Sequence, residues 1–248
     1  MTRQVRVAVF RPDDGRLSAA VELLESLGAD AVPDAMLAVE PSDASPREDA
    51  DYAVLTSETG AELAARAGWD PGEASVCAIG ERTASALRDA GYAVDLVPAE
   101  FSSGGLVEAL ADAVDGARVE VARSDHGSAV LTDGLDDAGA YVHETVLYRL
   151  VRPPGAGDAA EAAARGDLEG ACFTSSLTVE HFLEAAAERG VREAAVAGLD
   201  DAVVGCIGAP TAETAAANGV TVDVVPETAS FEALATAVVE RAAPSDHA

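Results

Sequence analysis

VCAIGERTASALRDAGYAVDLVPAEFSSGGLVEAL, residues 76–110, and VGCIGAPTAETAAANGVTVDVVPETASFEALATAV, residues 204–238, align without a gap at an offset of 128 positions. Ile79-Gly80, Thr83-Ala84, Gly91, Val94-Asp95, Val97-Pro98, Ser102, Leu106 and Ala109 all recur. Shared helical composition would reproduce the alanines, but not a glycine, a proline and a β-rich run at one spacing as well. Self-similarity of this kind marks a duplicated structural unit. Upstream, LTSETGAELAARAG (55–68) has a counterpart in FTSSLTVEHFLEAAAERG (173–190), and VAVFRPDDG (7–15) matches VEVARSDHG (119–127). Pro41 lies as far beyond the one as Pro153 beyond the other.

Around these anchors, short β-rich runs alternate with alanine-rich stretches of helical periodicity. Strands are expected at 5–10, 52–55, 76–79, 93–97, 118–122, 141–151, 171–173, 203–207 and 221–225. Alternating strands and helices build parallel sheets. The fold class expected is therefore α/β, two similar parallel-sheet domains. Two such domains facing each other would make a cleft, a preferred ligand site.

Composition removes whole classes of function. The 248 residues carry 44 acidic and 16 basic side chains, a net charge of -28, and every basic residue is arginine. A nucleic-acid binder needs a basic face. A lysine-free chain has no Schiff-base amine and no P-loop lysine. At 49% hydrophobic residues it is too apolar for a disordered acidic polymer. Self-repulsion on this scale suits a cytosol of very high salt, where screening is short-ranged. No run approaches the length of a membrane span, so a soluble cytoplasmic protein is expected. Cys77, Cys172 and Cys206 lie in apolar runs without metal-ligand spacing and read as buried thiols. His126, His143, His181 and His247 show no HxxxH or HExxH spacing, and no G-x-S-x-G elbow exists. GAGDAA, from Gly155, follows two prolines rather than a strand and reads as a linker, not a dinucleotide fingerprint.

Thr56-Ser57 and Thr174-Ser175 each sit where an apolar strand stops and a helix begins, with Thr59 and Glu62 at capping-box spacing in the first copy. Thr83 and Thr211, three residues past Gly80 and Gly208, repeat the design. Free N–H groups there would hold carboxylate or phosphate, or the residues would simply be helix caps. Four such starts suggest a polyanionic ligand. Arg11 and Arg123 end equivalent strands, as anion contacts or structural ion pairs. Tyr148 stands in TVLYRLV between Leu147 and Arg149, with Arg152 beyond.

In its FTSS segment at Phe173, its CIGAPTAETAAANGVTVDVVPETASFEALATAV segment at Cys206, their equivalents at Leu55 and Ala78, and Tyr148-Arg149, the chain resembles the uroporphyrinogen-III synthase family over nearly its whole length. The resemblance implies interleaved domains: roughly 1–35 with 154–248, and 42–146, joined by two antiparallel linker strands at 36–41 and 147–153. It implies a cofactor-independent enzyme of tetrapyrrole biosynthesis, with no metal, converting hydroxymethylbilane into uroporphyrinogen III with inversion of the last pyrrole ring. Loss of hydroxyl gives an azafulvene, the substituted carbon of ring D attacks to form a spiro intermediate, and fragmentation and reclosure follow. By resemblance Tyr148 assists hydroxyl departure, while Thr56, Ser57, Thr83, Arg123, Thr174, Ser175 and Thr211 line the substrate cleft. Ser124 stands where many members have glycine, and Ser176 where proline is usual. The implied partners are the small-molecule substrate and, transiently, the upstream deaminase, with a monomeric enzyme. Readings of other classes are a non-catalytic two-domain binding module for an acidic small molecule, and a regulatory sensor, for which no DNA-binding or signalling segment is left unassigned.

Charge makes the first prediction. At about 0.1 M salt the Debye length is roughly 10 Å, and at about 1 M roughly 3 Å, so only molar salt screens this polyanionic chain from a polycarboxylate ligand. Activity per folded molecule should rise toward molar salt in a steady-state assay; a maximum at low salt followed by steady decline would refute it.

Overall fold

The computed structural model describes residues 4–12 and 14–243, so His247 lies outside the described residues. In chain order the elements are β1 (Arg6–Phe10), α1 (Gly15–Ser26) and β2 (Asp30–Pro33), then β3 (Ala38–Pro41), β4 (Tyr52–Leu55), α2 (Glu58–Arg66), β5 (Ser75–Ala78) and α3 (Glu81–Asp89). They continue with α4 (Ser103–Leu110), β6 (Arg118–Ser124), α5 (Ala129–Asp137), β7 (Tyr141–Val151), α6 (Asp158–Ala164) and β8 (Gly170–Phe173). The last are α7 (Ser176–Glu188), α8 (Arg192–Asp200), β9 (Val203–Cys206), α9 (Ala209–Ala217) and α10 (Phe231–Ala242). The chain divides into two compact units: unit 1 takes the residues up to Ala38 and from Val151 onward, and unit 2 is Val39–Leu150.

Unit 1 is a parallel sheet of order β2-β1-β8-β9. Alternation along the strands sends Ala8, Phe10, Ala171, Phe173, Val204 and Cys206 to one face, against α6, α7, α8 and α9. Val7, Val9 and Cys172 go to the other, against α1 and α10. Phe10 stacks on Phe173 at 4.5 Å between centroids, and Phe182 meets both edge-on. Gly205 and Gly170 let α10 lie close, since a Cβ on Gly205 would stand 2.5 Å from a Val238 methyl. With both faces covered, the strands read as continuous apolar runs.

Unit 2 has the order β3-β7-β6-β4-β5, with β7, β6, β4 and β5 parallel. One face packs Leu55, Ala78 and Ala122 against α2 and α3. The other packs Val54, Cys77, Val119 and Val121 against α4 and α5. All three cysteines are buried and free, and burial pushes each thiol up to about 12.

The structure corrects several readings. Strands expected at 93–97 and 221–225 reduce to single bridges, Cys77 with Leu96 and Gly205 with Val224. There Asp95 and Asp223, one offset apart, accept the N–H of Val76 and Val204 at 2.8 and 3.0 Å. The edge strand β2 was not expected. Met36, assigned to a linker, is wholly buried in unit 1, and Leu147 and Tyr148 pack into unit 2 as part of the long β7. GAGDAA is a linker only through Gly157, where α6 begins.

Asp34 fixes that start. Its buried carboxylate accepts the N–H of Gly157 at 3.0 Å and of Ala159 at 2.8 Å, tying the end of β2 to α6 across more than 120 residues of chain. Burial raises its pKa above the ordinary 3.8, outweighing the amide donors of Ala159 and Gly157. A carboxyl whose folded pKa is raised favours folding most when protonated in both states. Its contribution is complete below the unfolded value, falls as pH climbs between the two, and then stays level. Denaturant midpoints of the wild type relative to Asp34→Asn should therefore fall as pH rises from about 3.5. Asp34→Ala, which orphans both N–H groups, should cost about 2–4 kcal/mol at neutral pH.

Candidate functional site

Parallel strands all end at the same edge of their sheet, and at that edge ligands meet the starts of the following helices. In unit 2, β4 ends at Leu55 and Ser57 becomes the N-cap of α2, its Oγ accepting the Gly60 N–H at 2.9 Å. The capping box expected at Thr59 and Glu62 does not form: Ser57, in the extended backbone that a cap requires, caps the helix, and Gly60, three residues on, has no side chain to bond back. Tyr148 lies on β7, and its hydroxyl donates to Ser57 Oγ at 3.0 Å. The residue is 6% exposed and packs in the apolar layer with Leu55 and Leu147. Two candidates distant in sequence are thus joined directly, beside Thr56. The neighbouring strand β5 runs into Gly80, the N-cap of α3, which has no side chain to satisfy the helix's first N–H groups. Thr83 is buried in that first turn.

Unit 1 repeats the pattern. Thr174 Oγ1 donates to the Phe10 carbonyl at 2.7 Å, which ties the ends of β8 and β1 together. Ser175 caps α7 in a reciprocal capping box with Thr178. The serine at 176 leaves this cap intact, and its hydroxyl turns to the Pro210 carbonyl. Gly208 is the uncapped start of α9, with Pro210 in its first turn and Thr211 buried. Each unit therefore gathers its candidates along one edge.

The arginines divide. Arg123 is buried and paired with Glu144, and its Nη1 donates to the Ser128 carbonyl at 2.6 Å. A Cβ on Gly127 would stand 2.2 Å from the Arg123 side chain, so glycine leaves the room it occupies. These contacts are those of a structural ion pair. Arg152 pairs with Glu188 at 2.6 Å. Arg11 stacks over the Phe231 ring at 4.8 Å, with its Nε buried and unpartnered.

Two features escaped the sequence reading. Phe101 is 64% exposed and lies against Gly80, beside the α3 start; an isolated phenylalanine in a loop gives no signal. Glu120 is buried on β6 and meets His143 Nδ1 at 2.6 Å. Its place in the apolar run VEVA was the available clue. That pair lines a cavity of about 340 Å³ formed by the early residues of β6 and β7, away from the strand ends that hold the candidates. Among the described residues no group of acidic, histidine and cysteine side chains could hold a metal, and no helix is long and apolar enough to cross a membrane.

Comparison with known proteins gives a consistent picture. The family model described as "Uroporphyrinogen-III synthase HemD" matches residues 18–236. A protein of Methanothermobacter thermautotrophicus, provisionally named a uroporphyrinogen-III synthase, is 32% identical over 237 residues, covering 89% of this chain and 92% of its own. The uroporphyrinogen-III synthase of Synechococcus elongatus is 31% identical over 144 residues, 55% of this chain and 54% of its own. Among solved structures, a mutant uroporphyrinogen III synthase of Thermus thermophilus superposes with a TM-score of 0.66 at 22% identity, covering 96% and 98% of the two chains. The Helicobacter pylori uroporphyrinogen-III synthetase does so with a TM-score of 0.64 at 14% identity, covering 96% and 100%. At these identities the two structures speak to the fold alone.

Ser57→Ala removes the α2 cap and the acceptor of the Tyr148 hydroxyl together. A lost cap costs about 1 kcal/mol, so the unfolding free energy from denaturant titration should drop by about that amount, the midpoint falling at unchanged m, with the circular dichroism spectrum unchanged.

Proposed function

The chain belongs to the uroporphyrinogen-III synthase family, enzymes of tetrapyrrole biosynthesis, and on that premise we propose that it closes hydroxymethylbilane into uroporphyrinogen III with Tyr148 as the hydrogen-bond donor to the departing hydroxyl. The observation that carries the assignment of Tyr148 is its 3.0 Å bond to Ser57 Oγ. The ring is packed in the apolar layer, so the phenol oxygen occupies one position while its O–H can rotate, and its present acceptor is a neutral hydroxyl. A leaving oxygen that gathers negative charge is a stronger acceptor than a serine, and it takes the donor as the C–O bond lengthens. Ser57 keeps its bond from Gly60 N–H throughout, so the helix start is undisturbed.

The remaining residues bind and orient. The uncapped starts of α3 and α9 at Gly80 and Gly208, with Thr83 and Thr211 in their first turns, offer N–H donors to substrate carboxylates. Thr56, Thr174 and Ser175 extend the same edges. Arg123 belongs to this reading as the residue that, with Glu144 and Ser128, holds the loop after β6 in shape. Positioning a flexible chain so that one ring carbon, and not its neighbour, is in reach accounts for a large part of such a reaction. That one step needs only a weak donor fits a substrate that closes by itself to the type I isomer. The same instability supports direct receipt of substrate from the deaminase that makes it, by a monomer in the cytoplasm.

Product analysis after hydroxymethylbilane addition tests the assignment: type III isomer is expected, and only the type I isomer would refute it in favour of a non-catalytic binding module. Positioned general acids contribute about 10²–10⁴-fold, and here the low end is expected. Tyr148→Phe should fold normally, lower the single-turnover rate at least about tenfold, and still give mainly type III product. An unchanged rate would make Tyr148 a structural residue.

A further inference from the structure

We infer that Arg11 is a carboxylate anchor of unit 1, gripping one carboxylate of the tetrapyrrole substrate bidentately at the end of β1. The inference deepens the proposed function and rests on it for the identity of the ligand.

The argument comes from comparing the two copies. Arg11 and Arg123 occupy equivalent places one residue beyond the motifs VAVF and VEVA. In unit 2 the guanidinium bonds Glu144 and the Ser128 carbonyl through its two terminal nitrogens, with only Nε unpartnered. Glu144 comes from the neighbouring parallel strand β7, in register with Val121. In unit 1 the corresponding neighbour is β2, where Pro33 is in register with Val9, the counterpart of Val121. Proline takes the place of the carboxylate. The next residue, Asp34, cannot replace it, since its carboxylate is turned to the N–H groups of Gly157 and Ala159.

Arg11 is consequently left without a hydrogen bond or ion pair among the described residues, with its Nε both buried and unpartnered. Among the fifteen described arginines twelve pair with carboxylates within 4 Å, and Arg11, Arg149 and Arg192 do not; of these three only Arg11 stands at the end of a strand, just past β1, at the edge that gathers the candidates. It is also preorganised. Phe231 supports the guanidinium plane at 4.8 Å, which reduces the side-chain freedom lost on binding. Thr174, at the head of α7, bonds to Phe10, the residue before Arg11, so the arginine stands beside the candidates already gathered at this edge. Burial pulls its pKa down, with help from nearby Arg16 and against the opposing charge of Asp14, and a bound carboxylate would favour the charged form in the same sense as Asp14. An arginine fork matches a carboxylate with two parallel bonds, which a lysine ammonium does not reproduce.

The test uses uroporphyrin, the stable oxidised form of the product, titrated into the full-length protein in molar salt. A charge-assisted pair is lost in Arg11→Gln, so affinity should fall about tenfold or more. Arg192→Gln, the same change of charge on α8, should stay within about twofold. Arg11→Lys keeps the charge and provides a second folded variant; it should still bind several-fold more weakly than the wild type. Affinity unchanged in Arg11→Gln or in Arg11→Lys, equal losses in Arg11→Gln and Arg192→Gln, or no binding by the wild type would each overturn the inference. Wild-type protein that makes no type III product yet binds uroporphyrin through Arg11 would overturn the proposed function and leave this inference standing.

Discussion

Parallel hydrogen bonding is the constraint from which the rest follows. Strands that run the same way finish at the same edge, and a helix must leave from that edge to return the chain to the start of the next strand. In each unit four such strand ends lie side by side, and each following helix begins with amides that nothing inside the helix can satisfy. Where a serine follows the strand, as at Ser57 and Ser175, the protein satisfies one itself. Where a glycine follows, as at Gly80 and Gly208, the amides are left for another acceptor. The site is thus the unfinished part of the backbone's own bonding.

The duplication is physical as well as textual. Ser102 and Ser230 cap α4 and α10, accepting the N–H of Gly105 and Ala233. Gly91 and Gly219 both take positive φ, at 95° and 81°, just past α3 and α9. Asp95 and Asp223 clamp the two extended segments to their strands. What recurs in the sequence is therefore what terminates helices and fixes extended backbone, the positions with the fewest chemical alternatives. What diverges is the environment of the paired arginines.

How far the sequence discloses this depends on which physics sets each element. Apolar runs such as VAVF and ACF are legible because both faces of a parallel strand are buried. The segment DAVP is a strand only because β1 offers it an edge, and its polar and proline residues conceal that. YAVDLV looks like a strand, yet only Leu96 bridges to a partner. α6 hides in GAGDAA because its start depends on Asp34, more than 120 residues earlier. At the site, helix starts are legible from local chemistry, whereas the bond between Tyr148 and Ser57 is a product of strand order and has no local signature.

The central strand of unit 1, β1, is made first and completed late. It pairs with β2 on one side but with Gly170–Phe173 on the other, and the whole of unit 2 is encoded between them. At a synthesis rate of about 5–20 residues per second, the nascent strand waits roughly 8–30 s for that partner. During this interval Val7, Val9 and Phe10 emerge with half a sheet to cover them, while Val39–Leu150 can fold to completion. The chain's acidity, which opposes ligand approach in dilute salt, would at that stage keep growing chains apart and protect an unfinished edge from its neighbours.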